Sequence, residues 1–406
     1  MSYRKIMLCV DNSSFSMDAT RQSARIADAF DSKVVGVHVY AASMHFQRFI
    51  DLEPTLPEEY QGPEKLAEMR DAHDSLIADG LHMISESYVR AVRSELNGVD
   101  FEPKNVDGTN YTELLKESRD EYDLAVIGAR GMGLAATNGM CPPDALGTVC
   151  QRFMRGAETD VLIVRDNAPP DGTILVAVDG SSESYGALRK AIGIAKATGA
   201  KVEATTCFDP DFHPVVFDAI VDVLSEKDAE FFNFEEQEEL HNTIINQGLA
   251  HFYQGYLEKA KIVAQGKGFE IETKLLEGRP AFEVAKRAGE MNASLVVVSR
   301  YGRHQTGEVD IGATSETIVK MVPGNVLIIN EKFNEEDIPE HEQSLEWTQE
   351  AEDRLIRVPG FMRPIVRKAI ENYARTNGHE VVTAEVVGKA KTSHGVPMPG
   401  HAEDDE

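Results

Sequence analysis

Cysteine and tryptophan are scarce, positive charge is in deficit, and no apolar run is long. The four cysteines, Cys9, Cys141, Cys150 and Cys207, show no CxxC spacing. This argues against a zinc site, an iron–sulfur cluster or a disulfide scaffold, and for buried or half-buried thiols. Lys and Arg number 41 against 68 Asp and Glu, a formal net charge of −27. So acidic a surface excludes general affinity for nucleic acid or anionic membranes, both of which are bound through basic surfaces. No stretch reaches the roughly 20 apolar residues of a membrane-spanning helix. The N-terminus enters a strand without a secretory apolar core, so a cytoplasmic location is expected. What is present is ordinary: 42% hydrophobic and 27% charged residues in a chain of 406. That length predicts two or three domains with a substantial core.

The stretch Leu295 to Ile318, LVVVSRYGRHQTGEVDIGATSETI, reads as a buried parallel strand, a loop bracketed by Gly302 and Gly312, and a helix start carrying Thr314, Ser315 and Glu316. Such a loop is either an anion cradle or a tight turn with no ligand. A helix N-terminus offers unpaired N–H groups and the positive end of a dipole, and glycines let backbone approach closely. The layout occurs earlier as LAVIGARGMGLAATNGMCPPDALGTV, Leu124 to Val149, with Gly128, Gly131, Gly147 and Thr148 in corresponding places. Each copy lies downstream of the same opening phrase, KIMLCVDNSS at Lys5 to Ser14 and TILVAVDGSS at Thr173 to Ser182. Asp179 follows Asp11 by 168 residues, and the same offset pairs Ser13 with Ser181, Val34 with Val202, His73 with His241, Tyr88 with Tyr256 and Phe101 with Phe269. Duplication is the economical explanation.

Each half reads βαβαβαβαβ, closing on DVLIVRD at Asp160 to Asp166 or NVLIINE at Asn325 to Glu331. The pattern predicts an α/β fold with two tandem doubly wound parallel sheets, whose ligands sit beyond the carboxyl ends of the strands where strand order reverses. The Asp after strand one and the glycine loop after strand four should meet there. Apolar stripes, Leu76 to Val92 and Ile244 to Ala260, mark a long second helix in each half. Ahead of them, segments 44–69 and 213–239 are lids, dimer contacts, partner surfaces or solvated helical insertions. His73 and His241 lack the converging ligands that a metal requires, and helix-end or packing roles are expected for them.

These residues resemble the universal stress protein family, in particular its tandem members, over about residues 1–332. The family phrase V-D-G-S appears at Val178 to Ser181, with VDNS at Val10 to Ser13. The family loop Gly-x2-Gly-x9-Gly-Ser/Thr is approximated twice. In the second half the spacing Gly302 to Gly312 holds, but Ser299 stands for the first Gly and Ala313 for the hydroxyl residue, with Thr314 next. In the first half Gly128, Gly131, Gly147 and Thr148 are of the family's types, but fifteen residues, 132–146, separate Gly131 from Gly147. The resemblance implies an adenine nucleotide such as ATP, with Asp11 and Val39, or Asp179 and Cys207, at the adenine and the glycine loops at ribose and phosphates. It also implies a nucleotide-responsive regulator rather than an enzyme, and no catalytic or metal cluster is evident near the loops. Arg300, Arg303 and His304 would add charge for a polyphosphate, against Arg130 and Asp144 in the first loop, so the second half is expected to be the better site.

Residues 333–344 read as an acidic linker, 345–395 as three short helices with a basic cluster (Arg354, Arg357, Arg363, Arg367, Lys368, Arg375), and 396–406 as a disordered tail. Domain limits of 1–168 and 169–332 complete the division. Trp347, Leu355, Val358, Pro359, Phe361, Arg363, Tyr373, Ala374 and Gly378 resemble the C-terminal helical module of the light-independent protochlorophyllide reductase B subunit. No cysteine follows Cys207 to ligate a cluster, so a docking module for a protein partner is expected rather than reductase chemistry. Two other readings remain open: an interaction scaffold with decayed nucleotide sites, and an accessory factor of a redox or tetrapyrrole enzyme. The apolar last strands predict that the halves pair as an intramolecular pseudo-dimer, and a homo-oligomer is also open.

Overall fold

The computed structural model describes residues 3–135, 145–210, 246–303, 310–333, 345–356, 358 and 363–394. Expectations for 213–239, His241, Cys141 to Asp144, His304, the linker beyond Phe333, Pro359, Gly360 and the tail 396–406 lie outside the described residues. The first repeat contains β1 (Lys5–Cys9), α1 (Ser14–Phe30), β2 (Lys33–Tyr40), α2 (Ala42–Leu52), α3 (Pro63–Glu95), β3 (Asp100–Asp107), α4 (Asn110–Glu117), β4 (Leu124–Gly128), α5 (Met132–Ala135), α6 (Thr148–Gly156) and β5 (Asp160–Val164). The second contains β6 (Thr173–Ala177), α7 (Ser182–Thr198), β7 (Lys201–Phe208), α8 (Asn246–Gly266), β8 (Glu272–Glu277), α9 (Pro280–Glu290), β9 (Leu295–Ser299), α10 (Ala313–Met321) and β10 (Val326–Ile329). The C-terminal region adds β11 (Glu346–Trp347), α11 (Gln349–Ile356), α12 (Arg363–Thr376), β12 (Val381–Val382) and α13 (Ala384–His394). The chain divides into two compact units: Met1–Ala177, Ser181–Glu203 and Ala281–Lys332 form the first, and Val178–Gly180, Ala204–Pro280 and Phe333–Glu406 the second.

In the first unit strands run in the order β3-β2-β1-β4-β5-β10-β9-β6. The apolar runs explain why: β4, β5 and β9 are buried along their length, as strands covered on both faces must be. Strand β1 lies between β2 and β4, both parallel to it, so strand order reverses at the β1/β4 boundary. Duplication extends to the helix caps. Ser13 Oγ accepts from Ser16 N at 3.1 Å and Ser181 Oγ from Ser184 N at 3.1 Å, while α1 and α7 end on left-handed Asp31 and Gly199.

The repeats join through β5 and β10, which pair antiparallel with Leu162 opposite Leu327. Asn325 braces this seam: its side-chain oxygen accepts from Arg165 N at 2.8 Å and its amide donates to Asp166 Oδ1 at 3.0 Å. Asp160 accepts from Asn330 N at 2.8 Å and from the Tyr3 hydroxyl at 3.0 Å. The expected pairing of last strands is therefore present, and it covers two apolar edges that would otherwise face water. Segment 44–69 folds as α2, two short 3-10 turns and the start of α3, with His73 stacked on Phe49 at 4.4 Å. That is a packing role for this histidine.

In the second unit the described C-terminal residues bury their own cluster, including Leu355, Val358, Val366, Ile370, Val382 and Val386. Ile262 of α8 packs against it. Three helices form as expected, and β11 and β12 add a two-residue parallel ladder, too short to leave a periodic signal in sequence. Among the described residues, the arginines of the basic cluster are engaged inside the module. Arg363 donates to Val358 O at 2.9 Å and Arg354 to Ala384 O at 2.9 Å, while Arg367 lies over the Trp347 ring at 4.4 Å and pairs with Glu352.

Candidate functional site

At the β1/β4 switch point a cavity of about 510 Å³ opens beyond the strand ends. It brings together all seven first-half candidates: Asp11, Val39, Gly128, Arg130, Gly131, Gly147 and Thr148. The loops after β1 and β4 make its rim. Asp11 spans them, accepting from Ser13 N at 3.0 Å, Ser13 Oγ at 2.6 Å and, through its other oxygen, Met132 N at 3.1 Å. Where it stands, this carboxylate leaves no room for a side chain at Gly131: an added Cβ would be 2.5 Å from Asp11 Oδ2, and Asp11 would have to move. Gly128 is glycine for another reason: a Cβ there would meet the Phe15 backbone at 2.9 Å. Gly128 thus serves the approach of α1 to β4, and its absent side chain is explained without a ligand.

Gly147 is the N-cap of α6 and makes no side-chain cap, and the first turn of α6 carries no acidic residue. Its N–H donates to Ala129 O at 2.8 Å, folding the loop back onto the end of β4. The amides that open α6 therefore meet the cavity with no acidic residue of the helix's own first turn competing for them. Arg130 donates from Nε to Ala145 O at 2.8 Å and lies 5.4 Å from the Phe15 ring centre.

The cavity also has residues that the motif does not name. Cys9, His38, Tyr88, Asn110, Leu114, Ile127 and Cys150 complete much of its wall. Burial pushes the Cys9 thiol up, and the Cys150 thiol to about 12, so both behave as apolar wall. The sequence signal for Tyr88 was its place on the apolar stripe of α3. His38 carried none beyond its position before Val39.

The second set is divided: Asp179 and Cys207 belong to the second unit, Ser299 to Thr314 to the first. In the second unit Cys207 is buried and its Sγ lies 3.1 Å from Gly278 O. In the first unit the described ends of the second loop repeat one hydrogen bond of the first. Gly312 caps α10 and its N–H donates to Arg300 O at 2.8 Å, so Arg300 stands where Ala129 stands in the first repeat. Arg300, expected at a polyphosphate, turns one guanidinium nitrogen toward α6. Only 2% exposed, its guanidinium donates to Met154 O at 2.7 Å, Arg155 O at 3.3 Å and Asp310 O at 3.3 Å. The carbonyls at the C-terminal end of α6 attract a cation, and a buried charge goes where acceptors are available. Ser299 O accepts from Ser315 Oγ at 2.8 Å, and Ala313 and Thr314 are exposed. The first turn of α10 holds Glu316, which pairs with Arg155 and with Lys320 at 2.6 Å. An acidic residue in this first turn makes the helix start less favourable to an anion than that of α6. Gly302 is half-buried and Arg303 exposed.

Among the described residues no three His, Cys, Asp or Glu gather as a metal site, and no helix is long and apolar enough to cross a membrane.

Comparison with known proteins agrees with this architecture. The universal stress protein family model matches residues 2–165 and again 172–330, and the model described as Proto-chlorophyllide reductase 57 kD subunit matches residues 347–391. A universal stress protein of Staphylococcus aureus (strain USA300) is 29% identical over 158 residues, 38% of this chain and 82% of that protein. Among solved structures, a universal stress protein from Archaeoglobus fulgidus DSM 4304 superposes with a TM-score of 0.52 at 15% identity, covering 81% of this chain and 99% of its own. One from Pseudomonas aeruginosa UCBPP-PA14 gives 0.50 at 14% identity, covering 80% and 93%. These likenesses carry the fold, and the two family matches, which span most of the chain and meet at the β5–β10 seam, carry the assignment: the chain belongs to the universal stress protein family.

Proposed function

We propose that this protein is a cytoplasmic, nucleotide-responsive regulator that holds an adenine nucleotide, ATP in the first instance, in the cavity of its first repeat. The observation that carries the reading is the convergence of Asp11, Val39, Gly131, Arg130, Gly147 and Thr148 on one cavity of about 510 Å³, a size suited to a small-molecule ligand. The base would lie toward Asp11 and Val39. The phosphates would lie at the Gly131 and Gly147 loop, where the α6 amides and Arg130 favour an anion. The second loop is proposed to have given up this task, because its arginine is turned to α6 and its helix start carries Glu316. The Asp11 carboxylate is already engaged by Ser13 and Met132, which supports a binding role over hydrolysis. The C-terminal module is proposed as the attachment for a protein partner.

Calorimetric titration with ATP tests the assignment. Gly147→Asp and Gly312→Asp each fit sterically, since the added Cβ comes no closer than 3.4 Å to its neighbours, and Asp is a favourable N-cap, so both helices should survive. Gly147→Asp is expected to abolish binding by placing a carboxylate at the phosphate cradle. Gly312→Asp is expected to leave it intact. The opposite pattern places the nucleotide in the second repeat, and no binding by the unaltered protein overturns the reading.

A further inference from the structure

His38 is buried to 8% exposure yet lines the cavity, and its ring is held from behind by a directed chain of hydrogen bonds. Ser85 Oγ donates to Asn105 Oδ1 at 2.6 Å, which commits the only hydroxyl proton. With Asn105 Oδ1 as the acceptor of that proton, the 2.7 Å contact between Ser85 Oγ and His38 Nδ1 is made by an Nδ1–H, which leaves Nε2 as the unprotonated nitrogen of the neutral ring. His38 lines the cavity and Ser85 does not, and Nε2 lies on the ring edge opposite Nδ1. Tyr88 packs edge-on against the ring at 5.1 Å and fixes its plane. Burial lowers the His38 pKa and so favours the neutral ring, an effect that Asp11 partly offsets.

The duplication separates this arrangement from simple core packing. At the shared offset of 168 residues His38 becomes Thr206 and Ser85 becomes Tyr253, so the fold does not itself demand a histidine there. We propose that His38 Nε2 is a specificity-determining acceptor that reads the exocyclic N–H of the base bound in the first repeat, with Ser85 and Asn105 as positioning residues that set its tautomer. This rests on the nucleotide reading above and deepens it. The cavity then selects a 6-amino purine, because a base without that donor would leave a buried acceptor unpaired.

The test compares ATP with purine riboside triphosphate, which has the same shape but lacks the 6-amino group, by calorimetry on the full chain. The unaltered protein should favour ATP by about ten-fold or more, the cost of one unmade buried hydrogen bond. His38→Phe keeps the ring and leaves Ser85 its Asn105 acceptor. It should bring the ratio of the two affinities to about one. Should His38→Phe fail to fold, Ser85→Ala removes only a hydroxyl, and it should reduce the ratio severalfold by freeing the tautomer. Equal affinity for both nucleotides in the unaltered protein, or an unchanged ratio in the variants, overturns the role of His38 and leaves nucleotide binding standing. Failure of both triphosphates to bind overturns both.

Discussion

Gly131 and Arg300 show how much rests on single residues. At Gly131 the free space is set by Asp11 Oδ2, 2.5 Å from any added Cβ. Gly131→Ala must therefore push Asp11 out of the place where it accepts from Ser13 and Met132. The expected outcome is a loss of ATP affinity of about ten-fold or more with little change in stability, read by calorimetry beside urea unfolding. Arg300 is the reverse case, a residue whose loss should be felt in stability. Arg300→Ala strands the last carbonyls of α6 and opens a void, and a cost of about 1–3 kcal/mol in urea unfolding of the full chain is expected. An unchanged midpoint would mean that those carbonyls find other donors. Asp11 and the first-loop glycines were legible because their types and spacing follow from the strand–loop–helix layout. The role of Arg300 was not legible. Its first acceptor is 146 residues away, and nothing local distinguishes an arginine aimed at phosphate from one aimed at a helix end.

At the scale of elements, α10 and the C-terminal module carry distinct expectations. Burial alone would raise the Glu316 carboxyl, but Lys320 and Arg155 outweigh it and hold the group below the usual carboxylate range. With the native pKa below the unfolded one, its contribution is full above the unfolded value of about 4.3 and is lost as pH falls through the lowered native value. Glu316→Gln should thus flatten the fall in unfolding midpoint from about pH 6 to about pH 3. An identical acid limb in both proteins would remove Arg155 and Lys320 from the account. In the module Trp347 is the single tryptophan of the chain, hydrogen-bonded to Glu371 at 2.9 Å, so its fluorescence reports this region alone. Because Ile262 packs on the module's core, Ile262→Ser should shift the fluorescence midpoint by roughly 1 kcal/mol. A fluorescence transition blind to that change would show that the module holds itself together without α8.

For the whole molecule, the seam between β5 and β10 is the feature on which the two repeats depend. A chain ending at Asn167 would expose the apolar edge Val161–Ile163, and self-association seen by sedimentation is the expected result. A strictly monomeric, soluble first repeat would count against it. Much of this architecture was determined by sequence: the duplication, the apolar strands, and the meeting of Asp11 with the first glycine loop. Each is encoded in local periodicity or the loop positions of a doubly wound sheet. Tertiary structure alone decided that Phe15 is what requires Gly128, that Arg300 turns to α6, that His38 is read from behind by Ser85 and Asn105, and that a short ladder joins β11 to β12. The physical reason is common to all four. Periodicity states which face of an element is apolar, whereas the partner of a particular side chain depends on which distant backbone the packed layers bring within hydrogen-bond reach.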